Sequence, residues 1–161
     1  MIKIVVIGVG GRMGKTISAC IEDTEGVILG GGTESPGHLA IGSDLGEFTG
    51  IGKKEISIVE NIETALIDSD VIIDFTTPES SLKTLDAAVS CKKSVVIGTT
   101  GFSTEQKQNI AQAAEKIRCV FAPNMSIGVN VLFKIVEDVS KALGDAYDVE
   151  IMEAHHKFKK D

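Results

Sequence analysis

An α/β fold, with helices covering both faces of a parallel sheet, is the fold class that the sequence predicts. Short runs along residues 1–125 are apolar throughout and do not alternate with polar residues. Such runs are typical of strands that are buried on both faces. Amphipathic segments with helical spacing separate the runs. Strands and helices that alternate in this way, joined by right-handed crossovers, indicate a doubly wound sheet of the Rossmann type.

The expected strands are all short and apolar. They span residues 2–7, 27–31, 71–75, 94–97 and 119–122, with 56–59 as a weaker candidate. The glycine-rich segment 30–52 is expected to be mostly loop.

The expected helices are placed by spacing and by capping signals. Residues 12–23 put apolar side chains on one face of a helix. Each later helix is expected to begin at a residue whose side chain can cap it. The caps are Asn61, Thr77 followed by Pro78, and Ser103. Ser103 forms a capping box with Gln106, and its helix is expected to run to about residue 116.

The pattern changes after residue 125, and residues 126–161 are expected to begin a second, α+β domain. An apolar stripe that includes Leu132 and Val136 predicts a longer helix, for which Gly144 is the stop signal. Residues 147–154 then alternate, which predicts a strand with two different faces.

Composition excludes several classes of function. A formal net charge of -7 argues against a general affinity for nucleic acid or for an anionic membrane surface. No stretch approaches the length of a membrane span. The spacing of Cys20, Cys91 and Cys119 shows no paired pattern, which favours reduced thiols and a cytoplasmic location.

A glycine-rich turn lies between the first expected strand and the first expected helix. It reads I-G-V-G-G-R-M-G-K and spaces Gly8, Gly11 and Gly14 as G-x-x-G-x-x-G, with Gly10 in addition. Glycine there allows a sharp turn, close approach of backbone amides to a pyrophosphate, and tight packing of helix on strand. The turn therefore predicts a dinucleotide site.

An acidic residue near the end of the second strand completes this fingerprint. Glu34 lies 20 residues after Gly14. Its carboxylate would accept hydrogen bonds from ribose hydroxyls and repel a 2′-phosphate, which favours NADH over NADPH. Arg12 argues the other way, since its guanidinium could meet a phosphate.

Three further segments follow strand ends, where open α/β sheets bind their ligands. They are Asp74-Phe75-Thr76, Gly98-Thr99-Thr100-Gly101 and Ala122-Pro123-Asn124-Met125. The Gly-Thr-Thr-Gly loop offers backbone amides and hydroxyls to a ribose or a nicotinamide without bulk, and the third segment could hold the carboxamide.

These motifs together resemble the dihydrodipicolinate (4-hydroxy-tetrahydrodipicolinate) reductase family. The resemblance runs through the whole chain, from G-V-G-G-R-M-G, D-F-T and G-T-T-G to A-P-N-M-S-x-G-V-N and E-A-H-H-K-F-K-K-D. It implies NAD(P)H-dependent reduction of 4-hydroxy-tetrahydrodipicolinate to tetrahydrodipicolinate, in the diaminopimelate route of lysine biosynthesis. It also implies a dicarboxylate substrate and a homotetramer.

The resemblance assigns roles to residues. His155 would be the proton donor, Lys159 the second catalytic residue and His156 a substrate contact. The residues implied to bind the dinucleotide are Gly8, Val9, Gly10, Gly11, Arg12, Met13, Glu34, Gly98, Thr99, Thr100, Ala122, Pro123, Asn124 and Met125.

Two departures from the family pattern bear on these expectations. Family members continue with P-S-G-T, which holds a substrate carboxylate, whereas this sequence stops at Asp161, so we expect a truncated form. Where a family member carries arginine after the acidic residue, it accepts the 2′-phosphate of NADPH, and Ser35 at that position favours NADH.

Other readings of the same residues remain open. A metal site at His155 and His156 is disfavoured, because adjacent residues on a strand point to opposite faces. A solvated basic tail is the plainer reading of residues 155–161. A nucleotide-binding module without catalysis would share every glycine feature. A sugar oxidoreductase of similar fold is a further alternative. Those enzymes carry E-K-P where this chain has Thr76-Thr77-Pro78, and the missing lysine disfavours this interpretation.

Overall fold

A computed structural model of the chain describes residues 1–154. It divides into two compact units, Met1–Ala122 and Pro123–Asp161. The division of the chain at residue 125 into a cofactor domain and a substrate domain stays a prediction.

The first unit is built on five parallel strands, which confirms the predicted fold class. They are β1 (Ile2–Ile7), β2 (Val27–Thr33), β3 (Val71–Asp74), β4 (Ser94–Ile97) and β5 (Cys119–Phe121). Their order across the sheet is β2-β1-β3-β4-β5. The order reverses between β1 and β3, and a crevice at such a switch point is where doubly wound sheets bind ligands.

Helices cover both faces of this sheet. The first unit contains α1 (Arg12–Glu22), α2 (Leu45–Thr49), α3 (Ile62–Leu66), α4 (Pro78–Cys91) and α5 (Thr104–Ala114). The three predicted caps are confirmed, at Asn61, at Thr77 and at Ser103 with Gln106 as a reciprocal capping box.

The core has two layers because β1 sends alternate side chains to opposite faces. Val5 and Ile7 join the layer beneath α4 and α5, and Ile4 and Val6 join the layer beneath α1 and α2. All four side chains are buried. A strand covered on both faces must be apolar wherever it is buried, which explains the run I-V-V-I at residues 4–7, whereas Lys3 lies at the less buried start of the strand.

The prediction that residues 30–52 are mostly loop was wrong at its start. Strand β2 continues through Gly30–Gly32 to Thr33, and α2 lies further along the segment. A methyl group on Gly32 would overlap the side chains of Leu45 and Val9. The glycine is there because neighbouring elements come close to the strand, and not because the chain turns.

Residues 56–59 form two isolated bridges in place of the weakly predicted strand. Val59 pairs with Thr33, and Ser57 pairs with Asp44. The three cysteines are free thiols.

The second unit consists, in its described part, of one long helix, a 3₁₀ turn at Gly144–Ala146 and irregular backbone. Helix α6 (Ile127–Leu143) ends at Gly144, where the predicted stop is confirmed. The strand predicted over residues 147–154 is not formed, and this prediction was wrong. Alternating apolar and polar residues are typical of a strand, but a strand also needs a hydrogen-bonded neighbour. None of the described residues supplies one for residues 147–154.

None of the helices described within residues 1–154 is long and apolar enough to cross a membrane.

Candidate dinucleotide site

The turn between β1 and α1 is held in a fixed shape by backbone hydrogen bonds. The amides of Gly8 and Val9 both donate to the Thr33 carbonyl oxygen, at 2.9 and 3.1 Å. The Gly11 amide donates to the Gly8 carbonyl oxygen at 3.1 Å. Gly8 has a φ of 69°, a value that glycine adopts without strain. A methyl group on Gly14 would overlap the backbone of Gly8 and Val9, so helix and turn can pack this closely only with glycine there.

Helix α1 begins with first-turn amides that no side chain of the described residues caps. Its N-cap is Gly11, which has no side chain to accept from the first turn. The amides of Arg12, Met13 and Gly14 therefore have no intrahelical partner. Free amides at a helix N-terminus are suited to bind an anion such as a pyrophosphate. The Arg12 and Met13 side chains are exposed beside them.

Glu34 lies directly against this turn. Its Oε1 accepts a hydrogen bond from the Gly10 amide at 2.7 Å, and its Oε2 accepts from the Ser35 amide at 3.0 Å. A methyl group on Gly10 would approach Glu34 Oε1 to 2.8 Å. A carboxylate has about four lone-pair sites, so both oxygens can still accept from ligand hydroxyls. The structure thus brings together the two halves of the predicted fingerprint.

A cavity of ≈ 420 Å³ opens beside Glu34. Residues that follow β1, β2 and β3 line it, including Gly8, Ser35 and Thr76. Sequence reasoning missed Glu60, Glu79 and Lys83, which also line it, because no local signal indicates that α4 and the segment before α3 reach this edge of the sheet. Three carboxylates and one ammonium group therefore border the cavity.

The loops after β3 and β4 meet through a buried carboxyl group. Asp74 is fully buried, and its Oδ1 accepts from the amide and the hydroxyl of Thr76, at 2.9 and 2.6 Å. The Gly98 amide donates to the Asp74 carbonyl oxygen at 2.9 Å. The Phe75 ring fills the space in which a Gly98 side chain would lie.

The Gly-Thr-Thr-Gly loop presents less to a ligand than its sequence suggests. Thr99 is 3% exposed, and its Oγ1 lies 2.7 Å from the Ser81 hydroxyl. This hydroxyl is therefore turned into the protein, so the loop offers a ligand its backbone and not the Thr99 side chain.

The remaining predicted residues follow β5 or lie beyond residue 154. The Ala122 amide extends the sheet by donating to Ile97 at 3.2 Å. Pro123, Asn124 and Met125 belong to the second unit, where Asn124 accepts from the Ser126 amide at 2.8 Å near the start of α6. His155, His156 and Lys159 lie outside the described residues. Within residues 1–154, no group of His, Cys, Asp and Glu could hold a metal ion.

Comparison with known proteins agrees with this geometry. Residues 2–125 match the family model "Dihydrodipicolinate reductase, N-terminus", and residues 128–161 match the model of its C-terminus. The chain is 49% identical over its full length to the 4-hydroxy-tetrahydrodipicolinate reductase of Geotalea daltonii, and 50% identical to that of Geotalea uraniireducens. It spans 60% of the length of each of these curated relatives.

A solved structure shows the same relationship. The dipicolinate-bound dihydrodipicolinate reductase from Paenisporosarcina sp. TG-14 superposes with a TM-score of 0.71 at 30% identity. The match covers 86% of this chain and 53% of that one. The glycine turn, its acidic partner and the β3 and β4 loops lie on one edge of a doubly wound sheet, as a dinucleotide site requires. Because both family models also match, the chain belongs to the dihydrodipicolinate reductase family.

Proposed function

We propose that the protein takes part in the NAD(P)H-dependent reduction of 4-hydroxy-tetrahydrodipicolinate to tetrahydrodipicolinate, in the diaminopimelate route of lysine biosynthesis. The observation that carries the proposal is the contact between Glu34 and the Gly10 amide at the mouth of the cavity. It is the ribose-and-phosphate corner of a dinucleotide site, in a chain that matches both parts of this reductase family. The family relatives carry the reductase name, and one of them binds dipicolinate.

The described residues fit a pyridine dinucleotide. The first-turn amides of α1 would receive the pyrophosphate, and Glu34 would accept from the ribose hydroxyls. The cavity of ≈ 420 Å³ would take the adenosine end. Residues 98–100 and 122–125 would line the nicotinamide end. When bound, the reduced nicotinamide supplies a hydride.

The carboxylates around the cavity favour NADH over NADPH. A 2′-phosphate would bring up to two further negative charges near Glu34, Glu60 and Glu79. Ser35, which follows Glu34, offers no guanidinium to balance them. We therefore infer tighter binding of NADH, with Arg12 and Lys83 as the cations that moderate the difference.

Three residues outside the described part complete the proposed chemistry. The reduction replaces the 4-hydroxyl group of the substrate by hydrogen, so a hydride and a proton are consumed and one water molecule leaves. The pKa of histidine lies near working pH, which suits His155 to deliver the proton. The Lys159 ammonium group would stabilise the developing negative charge. His156 would contact the dicarboxylate substrate. A homotetramer in the cytoplasm is the assembly and location proposed for the whole protein.

A reductase assay tests this function. NADH oxidation is followed on freshly prepared substrate, for the full-length protein and its His155→Gln variant. We expect kcat to fall by roughly 10²- to 10⁴-fold, the usual contribution of a general acid. The Kd for NADH should not change. Lys157→Gln, which alters a neighbouring basic residue with no assigned role, should keep its activity. No turnover by the parent, or full turnover by His155→Gln, would contradict the proposal.

A further inference from the structure

Asp74 is a fully buried carboxyl group that no step of the proposed chemistry uses. Its side chain is 0% exposed, at the carboxyl end of a central strand. Aspartate is almost never buried this completely unless it has partners. The partners of Asp74 lie in the loops that form the nucleotide edge, so its placement bears on the site and not only on the core.

One oxygen of Asp74 collects donors from two loops. Oδ1 accepts from the Thr76 amide at 2.9 Å and from the Thr76 hydroxyl at 2.6 Å. The Thr99 hydroxyl, in the loop after β4, lies 3.5 Å from the same oxygen. Thr99 in turn shares a hydrogen bond of 2.7 Å with Ser81, which is 1% exposed on α4. The buried network therefore joins the β3 loop, the β4 loop and α4.

The residues held by this network touch the segments expected to meet the cofactor. The Thr76 methyl group packs against Gly8, so closely that a methyl group on Gly8 would lie 2.8 Å from it. The Phe75 ring, between Asp74 and Thr76, packs over Gly98. The shapes of the phosphate turn and of the Gly98–Thr100 loop thus both depend on where residues 74–76 are held.

We propose that Asp74 and Thr99 are positioning residues, which fix the Gly98–Thr100 loop against α4 so that its backbone meets the nicotinamide end of the dinucleotide. Neither side chain touches the ligand, because both are buried. The inference rests on the proposed function for the identity of that ligand. A purely structural role would not require this network, since a whole set of buried polar partners can often be replaced together by apolar groups of similar shape at little cost in stability.

The test compares two ligands that differ at one end. NADH carries the nicotinamide, whereas ADP-ribose lacks it and keeps the adenosine and the pyrophosphate. The full chain is titrated with each ligand by calorimetry. Partial unfolding of a variant weakens both ligands equally, so the ratio of the Kd for NADH to the Kd for ADP-ribose reports the loop alone. Thermal midpoints without ligand are measured in parallel.

Thr99→Val removes the hydroxyl and keeps the shape. We expect it to raise this ratio by roughly tenfold, which corresponds to one buried hydrogen-bond partner left unsatisfied. Thr99→Ser keeps the hydroxyl and should restore a ratio near that of the parent. Asp74→Asn should weaken both ligands, and NADH more than ADP-ribose, because Asp74 holds Thr76 against Gly8 as well as Thr99 in the second loop.

Thr84→Val is the matched control. Thr84 is fully buried on the same helix as Ser81, but its Oγ1 has no hydrogen-bond partner among the described residues. The same chemical change there should leave the ratio unaltered.

Two outcomes would overturn the inference, provided that the parent binds NADH. One is an unchanged ratio in Thr99→Val, and the other is a Thr99→Ser variant that behaves like Thr99→Val. A parent that binds neither ligand would overturn the proposed function, and the inference with it.

Discussion

Glu34 is the residue at which sequence and structure agree most directly. Its distance along the chain from the glycine turn identified it, and the structure places its Oε1 2.7 Å from the Gly10 amide. The sequence indicates Asp74 only as part of a strand end and gives no signal for Lys83. Their surroundings depend on which loops and helices meet in three dimensions, and no spacing within one short segment encodes that.

Removing the charge of Glu34 should shift the choice between the two cofactors. Glu34→Gln keeps an acceptor for the Gly10 amide but no longer repels a 2′-phosphate. We expect the ratio of the Kd for NADPH to the Kd for NADH to fall about three- to tenfold, as Coulomb energies at a partly solvated site suggest. Calorimetric titration measures both constants. Glu25→Gln, which neutralises an exposed carboxylate away from the cavity, should leave the ratio unchanged. A clear preference of the parent for NADPH would contradict the charge argument.

Asp44 is the carboxylate that should make stability depend on pH. It caps α2 by accepting from the Glu47 amide at 2.9 Å, and it also accepts from the amides of Lys54 and Glu55 at 3.1 and 2.6 Å. These hydrogen bonds, that from Glu47 first, hold the pKa of Asp44 below its ordinary value, although desolvation acts in the opposite direction. The ionised group therefore stabilises the fold above the unfolded-state pKa of about 3.9, and this contribution is lost as pH falls through the folded-state pKa.

Asp44→Asn should consequently lower the thermal midpoint at pH 7, and the gap to the parent should close as pH falls below about 4. Thermal unfolding followed by circular dichroism over a pH series measures this gap. Asp86→Asn is the control, because Asp86 is exposed and accepts no such hydrogen bond from the described residues. A gap that stays constant from pH 7 to pH 3 would show that the charge of Asp44 contributes nothing.

At the scale of single elements, the sequence predicts what is decided locally and fails where a neighbour decides. The caps at Asn61, Thr77 and Ser103 were all confirmed, because a cap joins a side chain to an amide three residues away. The predicted β2 is too short because Gly32 is required by its close contact with Leu45 and Val9, which are distant in sequence. Residues 147–154 had the pattern of a strand without a partner in the described part of the chain.

The capping box of α5 should be worth a measurable amount of stability. The Ser103 hydroxyl accepts from the Gln106 amide at 3.2 Å, and the Gln106 side chain accepts from the Ser103 amide at 2.8 Å. Ser103→Ala removes the first of these bonds, and we expect a loss of about 1 kcal/mol in the free energy of unfolding. Urea denaturation measures it. Ser90→Ala, at an exposed site inside α4, should be neutral or slightly stabilising, because alanine suits a helix interior better than serine. Equal effects of the two substitutions would contradict the assignment of the cap.

At the scale of the molecule, the topology could be predicted because few arrangements satisfy the rules. Apolar strands joined by helices and right-handed crossovers leave the doubly wound sheet, and its reversal between β1 and β3 locates the crevice. The burial of the second unit could not be predicted. The pattern of α6 gives it an apolar stripe, yet none of its residues is buried in the described structure, and Leu132, Phe133 and Val139 are at least half exposed.

This contrast predicts that the two units of the 161-residue chain exchange their backbone amide hydrogens at different rates. Helix α4 buries five side chains, including Leu85 and Ala88, whereas α6 buries none of its own. Local opening requires little free energy where few apolar contacts are broken, so α6 amides should exchange well before α4 amides.

Saturation with NADH at about 100 times its Kd should add about 2.7 kcal/mol to the global stability of the unit that binds it. Protection should then rise in β1, β3 and α4, and α6 should exchange as before. Hydrogen exchange read by mass spectrometry resolves these segments, and slow exchange in α6 without ligand would contradict the prediction.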